Sequence, residues 1–278
     1  QNTCSCLQPS AEVTSPAVAG GCYCDRDLTS DELVHLGISR ANADKFLEAI
    51  NATMTEYTIN TCERKLHFLA QLRHESGEFV YMQEIASGSA YEGRTDLGDT
   101  QTGDGVRFKG RGLIQITGRT NYTNYGTYKS ENFTTEPNNK KLGELPYCVD
   151  SAGWYWSENL SVDLNDFADK DDIIYITYRI NGGFNGYISD RKPKLINMIK
   201  KITCTKTTFE NFETYSIKTS KAWDGHDAVY KYARLNTDES KDCYQRYLDL
   251  TANYLTWNVS QSKKNNIATR RQVANDNN

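Results

Sequence analysis

The sequence predicts a mainly α-helical protein with long loops and at most a small β-hairpin. Three observations carry that expectation. Apolar residues recur at helical spacing, as in Phe46, Leu47, Ile50 and Met54 and again in Leu66, Leu69 and Leu72. Polar capping patterns, Thr29-Ser-Asp-Glu32 and Asn60-Thr-Cys-Glu63, stand just ahead of such windows. Residues 86–128, rich in Gly, Thr, Asp and Asn, break every period and predict long loops.

Taken in order, residues 1–27 carry four cysteines among small and polar residues and predict a disulfide-pinned arm rather than a core of its own. The Thr29–Glu32 box opens a short helix through Leu33 and Leu36. A second helix is expected over 43–55, and a third runs to Glu75, where Ser76-Gly77 stops it. Helical patterning returns at Val149–Trp156 and at Asp171–Arg179, closed by Asn181-Gly182-Gly183, and Pro193 starts another helix. Ala228–Leu235 and Tyr244–Leu255 suggest two more, and the polar residues 263–278 are expected to be a disordered tail.

Bulk properties narrow the function classes. Of 278 residues, 38% are hydrophobic and 24% charged, with a formal net charge of -4; mean hydropathy is -0.68. There is no basic stripe of the kind that binds nucleic acid. No apolar run approaches the ~18 residues that suggest a membrane span. Neither a nucleic-acid nor a membrane partner is expected, and the chain is expected to be a monomer.

Eight cysteines, Cys4, Cys6, Cys22, Cys24, Cys62, Cys148, Cys204 and Cys243, favour disulfides over metal ligation. Cys-x-Cys is tighter than the usual zinc spacing, so neither metal nor cofactor is expected. Five Asn-x-Ser/Thr triplets, at Asn51, Asn121, Asn132, Asn159 and Asn258, fit a secreted glycoprotein. The chain begins at Gln1 without a charged-then-apolar leader, so a secreted protein would already have lost it.

Two carboxylates stand out. Glu75 follows His74 at a predicted helix C-terminus, where the helix dipole and apolar packing both disfavour a carboxylate and suit a general acid. Glu92 lies seventeen residues later in a solvated Tyr-Glu-Gly-Arg loop that suits a general base. Such a pair is what glycosidic hydrolysis requires. Glu78, Glu84 and Asp96 compete for the second role, because 36 acidic residues make any one pairing unremarkable.

The order of motifs sharpens this. Phe68-Leu-Ala-Gln-Leu-Arg-His74-Glu75-Ser-Gly, Tyr91-Glu92-Gly-Arg94 and Gly105-Val-Arg-Phe-Lys-Gly-Arg-Gly-Leu-Ile-Gln-Ile-Thr117 stand in sequence. Asp166-Phe-Ala-Asp-Lys-Asp-Asp-Ile, Arg179-Ile-Asn181-Gly182-Gly183-Phe-Asn185-Gly and Asp190-Arg191 follow. Together, over roughly residues 30–200, they resemble glycoside hydrolase family 19, which contains chitinases and phage-type endolysins. The resemblance implies a lysozyme-like, two-lobed helical domain with a cleft. It implies single displacement with inversion, on carboxyl groups about 6.5–9.5 Å apart. Glu75 would be the acid, Glu92 the base and Thr117 a holder of the water. His74, Arg94, Gln115, Asn121, Tyr122, Asn181 and Arg191 would bind substrate or support the pair.

Two departures qualify the carry-over. The Glu75–Glu92 interval is shorter than in plant members, and the cysteines do not follow the plant pattern, so no connectivity is transferred. The spacing of Asn121-Tyr122 from Thr117 also differs. The chain divides into the arm, a catalytic domain over 28–205, a helical extension over 206–262 and the tail. Its partner would be a polysaccharide, chitin first and peptidoglycan second, acted on outside the cell. A glycan on Asn121 would block the site, so that residue is expected to be unmodified and Asn51, Asn132, Asn159 and Asn258 to be the glycan carriers.

Other features have plainer explanations. Trp154 and Trp156 are expected in the core rather than on a sugar platform. Asp169-Lys-Asp-Asp172 lacks the glycine and glutamate of a calcium loop and fits a solvated helix start. His226 and Lys263-Lys264 suggest no partner. The rivals to a hydrolase are a non-catalytic sugar-binding protein on the same scaffold and a toxin whose activity lies in residues 206–278.

Overall fold

The computed structural model describes residues 22–202, 209 and 212–278. They group into two compact units, one of residues up to Asp171 together with 190–209, the other of Asp172–Ser189 together with 212–278. The linear domain 28–205 is thus interrupted, since its segment 172–189 packs with the C-terminal residues.

The first unit holds α1 (Ser30–His35), α2 (Arg40–Glu56), α3 (Cys62–Glu75), α4 (Asp104–Arg107), α5 (Arg119–Lys129), α6 (Tyr147–Trp154) and α7 (Asn165–Ala168). The second contributes α8 (Ile173–Asn181), the first then adds α9 (Lys192–Ile199), and the second ends with α10 (His226–Ala233), α11 (Ser240–Leu250) and α12 (Gln261–Asp276). Mainly helical architecture is therefore the outcome. β-Pairing among the described residues is confined to two isolated bridges, Gln83 with Arg111 and Arg111 with Ile116. No helix among these residues is long and apolar enough to cross a membrane.

Local chemistry explains the helix ends. Thr29 and Glu32 form the capping box that opens α1. α3 is capped by Thr61 rather than Asn60, and its buried Leu66, Phe68, Leu69 and Leu72 face the core. α3 packs on α7 and α9, and α2 on α6. Phe68 meets Trp156 edge-on at 5.4 Å, and Trp154 and Trp156 are buried as expected. α8 is capped by Asp172 and closed by Gly182 in the left-handed region.

Three expectations need correction. The loop stretch ends well before 128, because α5 occupies Arg119–Lys129. Its apolar face is built from Tyr122 and Tyr125, whose polar tips disguised the period. The tail at 263–278 is not disordered but lies mostly in α12, capped by Ser260. Ile267 and Ala274, seven positions apart, are its only buried residues. Arg270 reaches Asp227, and Arg271 reaches the Leu248 carbonyl and the Thr251 hydroxyl. So thin an apolar stripe cannot be told from a solvated tail by hydropathy.

The third correction concerns sulfur. Cys24 and Cys62 form a disulfide and Cys22 is disulfide-bonded too, while Cys4, Cys6 and Cys204 lie outside the described residues. Cys148 and Cys243 are free and buried. Burial pushes their thiols up to about 11 and about 12, so both serve as small apolar core residues.

Glycan carriers divide as well. Asn132 and Asn258 are exposed. Asn51 exchanges two hydrogen bonds with the Leu28 backbone, and Asn159 donates its amide to Asn121. A sugar on either nitrogen would have to break those contacts.

Candidate active site

Glu75 ends α3 because the chain folds back at once. The Ser76 hydroxyl donates to the Leu72 carbonyl and accepts from Phe79 N, and the Ser76 carbonyl accepts from Val80 N and Tyr81 N. Glu78 and Phe79 complete the reversal at φ of 63° and 64°. The returning segment then pairs with the Gly-Arg-Gly loop. Gly112 N donates to the Met82 carbonyl at 2.9 Å and Glu84 N to the Gly110 carbonyl at 2.9 Å.

That pairing brings in a carboxylate the sequence argument left among the competitors. Glu84 Oε2 accepts from Gly110 N at 3.2 Å, and its Oε1 accepts from the Tyr91 hydroxyl at 3.0 Å. Burial, then this contact, raises the Tyr91 hydroxyl above its ordinary range. Gly110 is hemmed in on its other side. A Cβ there would stand 2.8 Å from Gln115 Oε1 and 3.3 Å from Thr117 Oγ1. Glu84, Gln115 and Thr117 therefore share one glycine. Gln115, at φ 58°, ties the group back toward Glu75 by donating to the Tyr81 and Gly112 carbonyls. Thr117 donates to the Gln115 carbonyl at 2.9 Å.

Glu92 has a different setting. It is exposed, and its two oxygens accept from Gly103 N at 2.6 Å and Gly105 N at 3.0 Å, at the start of α4. Its carboxylate organises the loop 88–105. Arg94 is likewise engaged with Asp96 in an exposed pair.

Glu75 is not in the apolar surround the sequence argument assumed. Its Oε1 accepts from Arg191 Nη2 at 2.5 Å, and Arg191, wholly buried, also donates to Gln71 Oε1 at 2.5 Å. Next to it His74 Nδ1 meets Asp190 at 2.6 Å. Lys194 contacts Asp190 and stands 3.0 Å from Glu78, which pairs with Arg73 at 2.7 Å. Burial pushes the Asp190 carboxyl up, but hydrogen bonds from Lys194 and His74 outweigh it and hold the group below its usual range. Alternating charges thus brace the end of α3 against the start of α9.

Of the remaining predicted site residues, Asn121 lies beside Thr117, whose carbonyl accepts from its amide at 2.9 Å. Tyr122, expected to bind substrate or support the pair, is fully buried, donates to the Lys109 carbonyl at 2.7 Å and accepts from Arg111 Nη1 at 2.7 Å, so it supports the loop from beneath. Asn181 belongs to the second unit, where it is exposed and its Oδ1 accepts from Asn185 N. The acidic run at 169–172 is taken up by protein partners, Asp169 by Arg64, Asp171 by His67 and Asp172 by the cap of α8.

Comparison with known proteins adds an independent line. No family model matches the chain. A Haemophilus influenzae protein described as a glycosyl hydrolase family 19 domain-containing protein is 29% identical over 53% of this chain and 84% of its own length. An Arabidopsis thaliana endochitinase is 31% identical over 50% of this chain and 48% of its own, and endochitinase A of Zea mays 30% over 34% and 32%. The chain thus spans about half or less of these plant relatives. Among solved structures, a bacterial family 19 chitinase aligns at 18% identity and a TM-score of 0.49, over 61% of this chain and 97% of that one.

Proposed function

We propose that the chain, which is similar to a family 19 domain-containing protein and to plant endochitinases, is a glycoside hydrolase that cleaves β-1,4 linkages in polymers containing N-acetylglucosamine, with inversion, outside the cell. Chitin is the leading substrate, in keeping with the plant relatives' description as endochitinases. The Cys24–Cys62 disulfide and the exposed triplets at Asn132 and Asn258 support an oxidising, extracellular setting.

The observation that carries the mechanism is the sharing of Gly110 by Glu84, Gln115 and Thr117, nine residues of folded-back chain from Glu75. Glu75 protonates the leaving glycosidic oxygen. Arg191, already in contact with its Oε1, then stabilises the carboxylate that the proton leaves behind. Glu84 takes a proton from the attacking water, which the Thr117 hydroxyl and Gln115 amide help to hold. Glu84 replaces Glu92 as base in this proposal, because Glu84 shares Gly110 with Gln115 and Thr117, whereas Glu92 closes a loop at Gly103 and Gly105.

The deciding experiment follows cleavage of a chitin hexamer by NMR, with peptidoglycan in a parallel tube and Glu75→Gln as control. The expected result is α-anomer first, lost in the variant. β-Anomer first would overturn inversion, and silence on both polymers would favour a sugar-binding protein on this scaffold.

A further inference from the structure

In the second unit, an open pocket of about 560 Å³ lies between the loop 181–189 and α10. Its volume is within the usual range for a small ligand. The loop wall supplies Asn181, Phe184 and Ile188, and the α10 wall Lys231, Arg234 and Leu235. The second wall lies in the extension that the family resemblance does not reach.

The cations on that wall are unlike. Lys231 is committed, paired with Asp227 at 2.7 Å and donating to the Gly182 carbonyl at 2.7 Å. Asp227 also holds Arg270 at 2.7 Å, so its charge is fully used. Arg234 is exposed and makes no ion pair or hydrogen bond among the described residues. Arg234 lines the pocket, and a planar guanidinium offers a fork of donors suited to a carboxylate. Leu235 follows it directly, and Ile188, 42% exposed, offers apolar surface on the other wall. Asn181 keeps its amide nitrogen, since its Oδ1 is the atom that accepts from Asn185 N.

We propose that this pocket binds a glycan unit bearing a carboxylated ether, with Arg234 gripping the carboxylate, Leu235 and Ile188 covering the adjacent methyl and ring carbons, and Asn181 meeting a sugar amide or hydroxyl. A lactyl ether on N-acetylglucosamine, the muramic-acid substituent, has this pairing of methyl and carboxylate. The inference rests on the hydrolase proposal for the choice of sugar, and it concerns sugars whose lactyl carboxylate is free, because a peptide attached there turns that group into a neutral amide.

The test uses the full chain carrying Glu75→Gln, titrated by isothermal calorimetry with a muramic-acid-containing disaccharide and with the neutral N-acetylglucosamine disaccharide. The expected result is a preference for the acidic sugar that weakens with salt and falls about tenfold in Arg234→Gln, with part of it restored in Arg234→Lys. An equal affinity for the two sugars, or a preference that survives Arg234→Gln in a variant with unchanged circular dichroism, would overturn it. Binding is read separately from hydrolysis. Absence of cleavage by the chain with Glu75 in place, with the preference intact in Glu75→Gln, would retire the hydrolase proposal and leave the pocket, whereas cleavage by the former without the preference in the latter would do the reverse.

Discussion

Glu84 and Glu92 lie eight residues apart, and each accepts hydrogen bonds from glycine N–H groups. Their neighbours differ. Glu84 meets Gly110 on a strand-like segment that also carries Gln115 and Thr117 toward it, while Glu92 closes a loop on itself at Gly103 and Gly105. A carboxylate's chemistry is set by what else faces it, and its local sequence is a poor guide to that.

The largest effect expected from this difference is catalytic. Glu84→Gln should lower kcat by about 10²–10⁴-fold, whereas Glu92→Gln should cost less than about tenfold. Initial rates on a chitin oligomer decide between them, and equal losses would return Glu92 to the mechanism. Gly110→Ala probes the shared neighbour. Its Cβ would press on Gln115 Oε1 at 2.8 Å, so a destabilisation of about 1–3 kcal/mol is expected, with a larger loss of rate than the fall in Tm explains.

Tyr122→Phe sharpens the contrast from below. It removes a buried hydroxyl that both donates and accepts and should cost about 1–3 kcal/mol in urea unfolding. KM at a permissive temperature should stay put, since Tyr122 is wholly buried.

Asp190 gives the smallest effect. Its folded-state value lies below the ordinary carboxylate one, so its contribution to stability is present above the ordinary range and is lost as pH falls through the lowered value. Asp190→Asn should flatten that acid limb in a pH series of unfolding curves, and an unchanged limb would show that the bracing of α3 against α9 is electrostatically idle.

The comparison also shows what could be read early. The ends of α1 and α3 were legible because capping is local: Thr29 and Glu32 need only each other, and Ser76 needs only the turn it closes. Glu75 was legible for the same reason, since it ends the helix. α5 and α12 were not. The first hides its buried face behind tyrosine hydroxyls, and the second is held by two buried residues and its arginines. Cys148 and Cys243 misled because an even cysteine count says nothing about distance between sulfurs, and both are free and buried.

By itself, then, the sequence determined the helical class, most helix boundaries and the place of Glu75 at the end of α3, which rest on residues within a few positions of one another, and the hydrolase kinship, which rests on a run of short motifs in order. Tertiary structure alone decided which glutamate shares Gly110 with Thr117, that a buried arginine 116 positions away meets Glu75, that Tyr122 is a support, and that α10 faces the 181–189 loop. Each depends on chain segments distant in sequence meeting through backbone hydrogen bonds and burial, and neither of those leaves a periodic trace in the residues themselves.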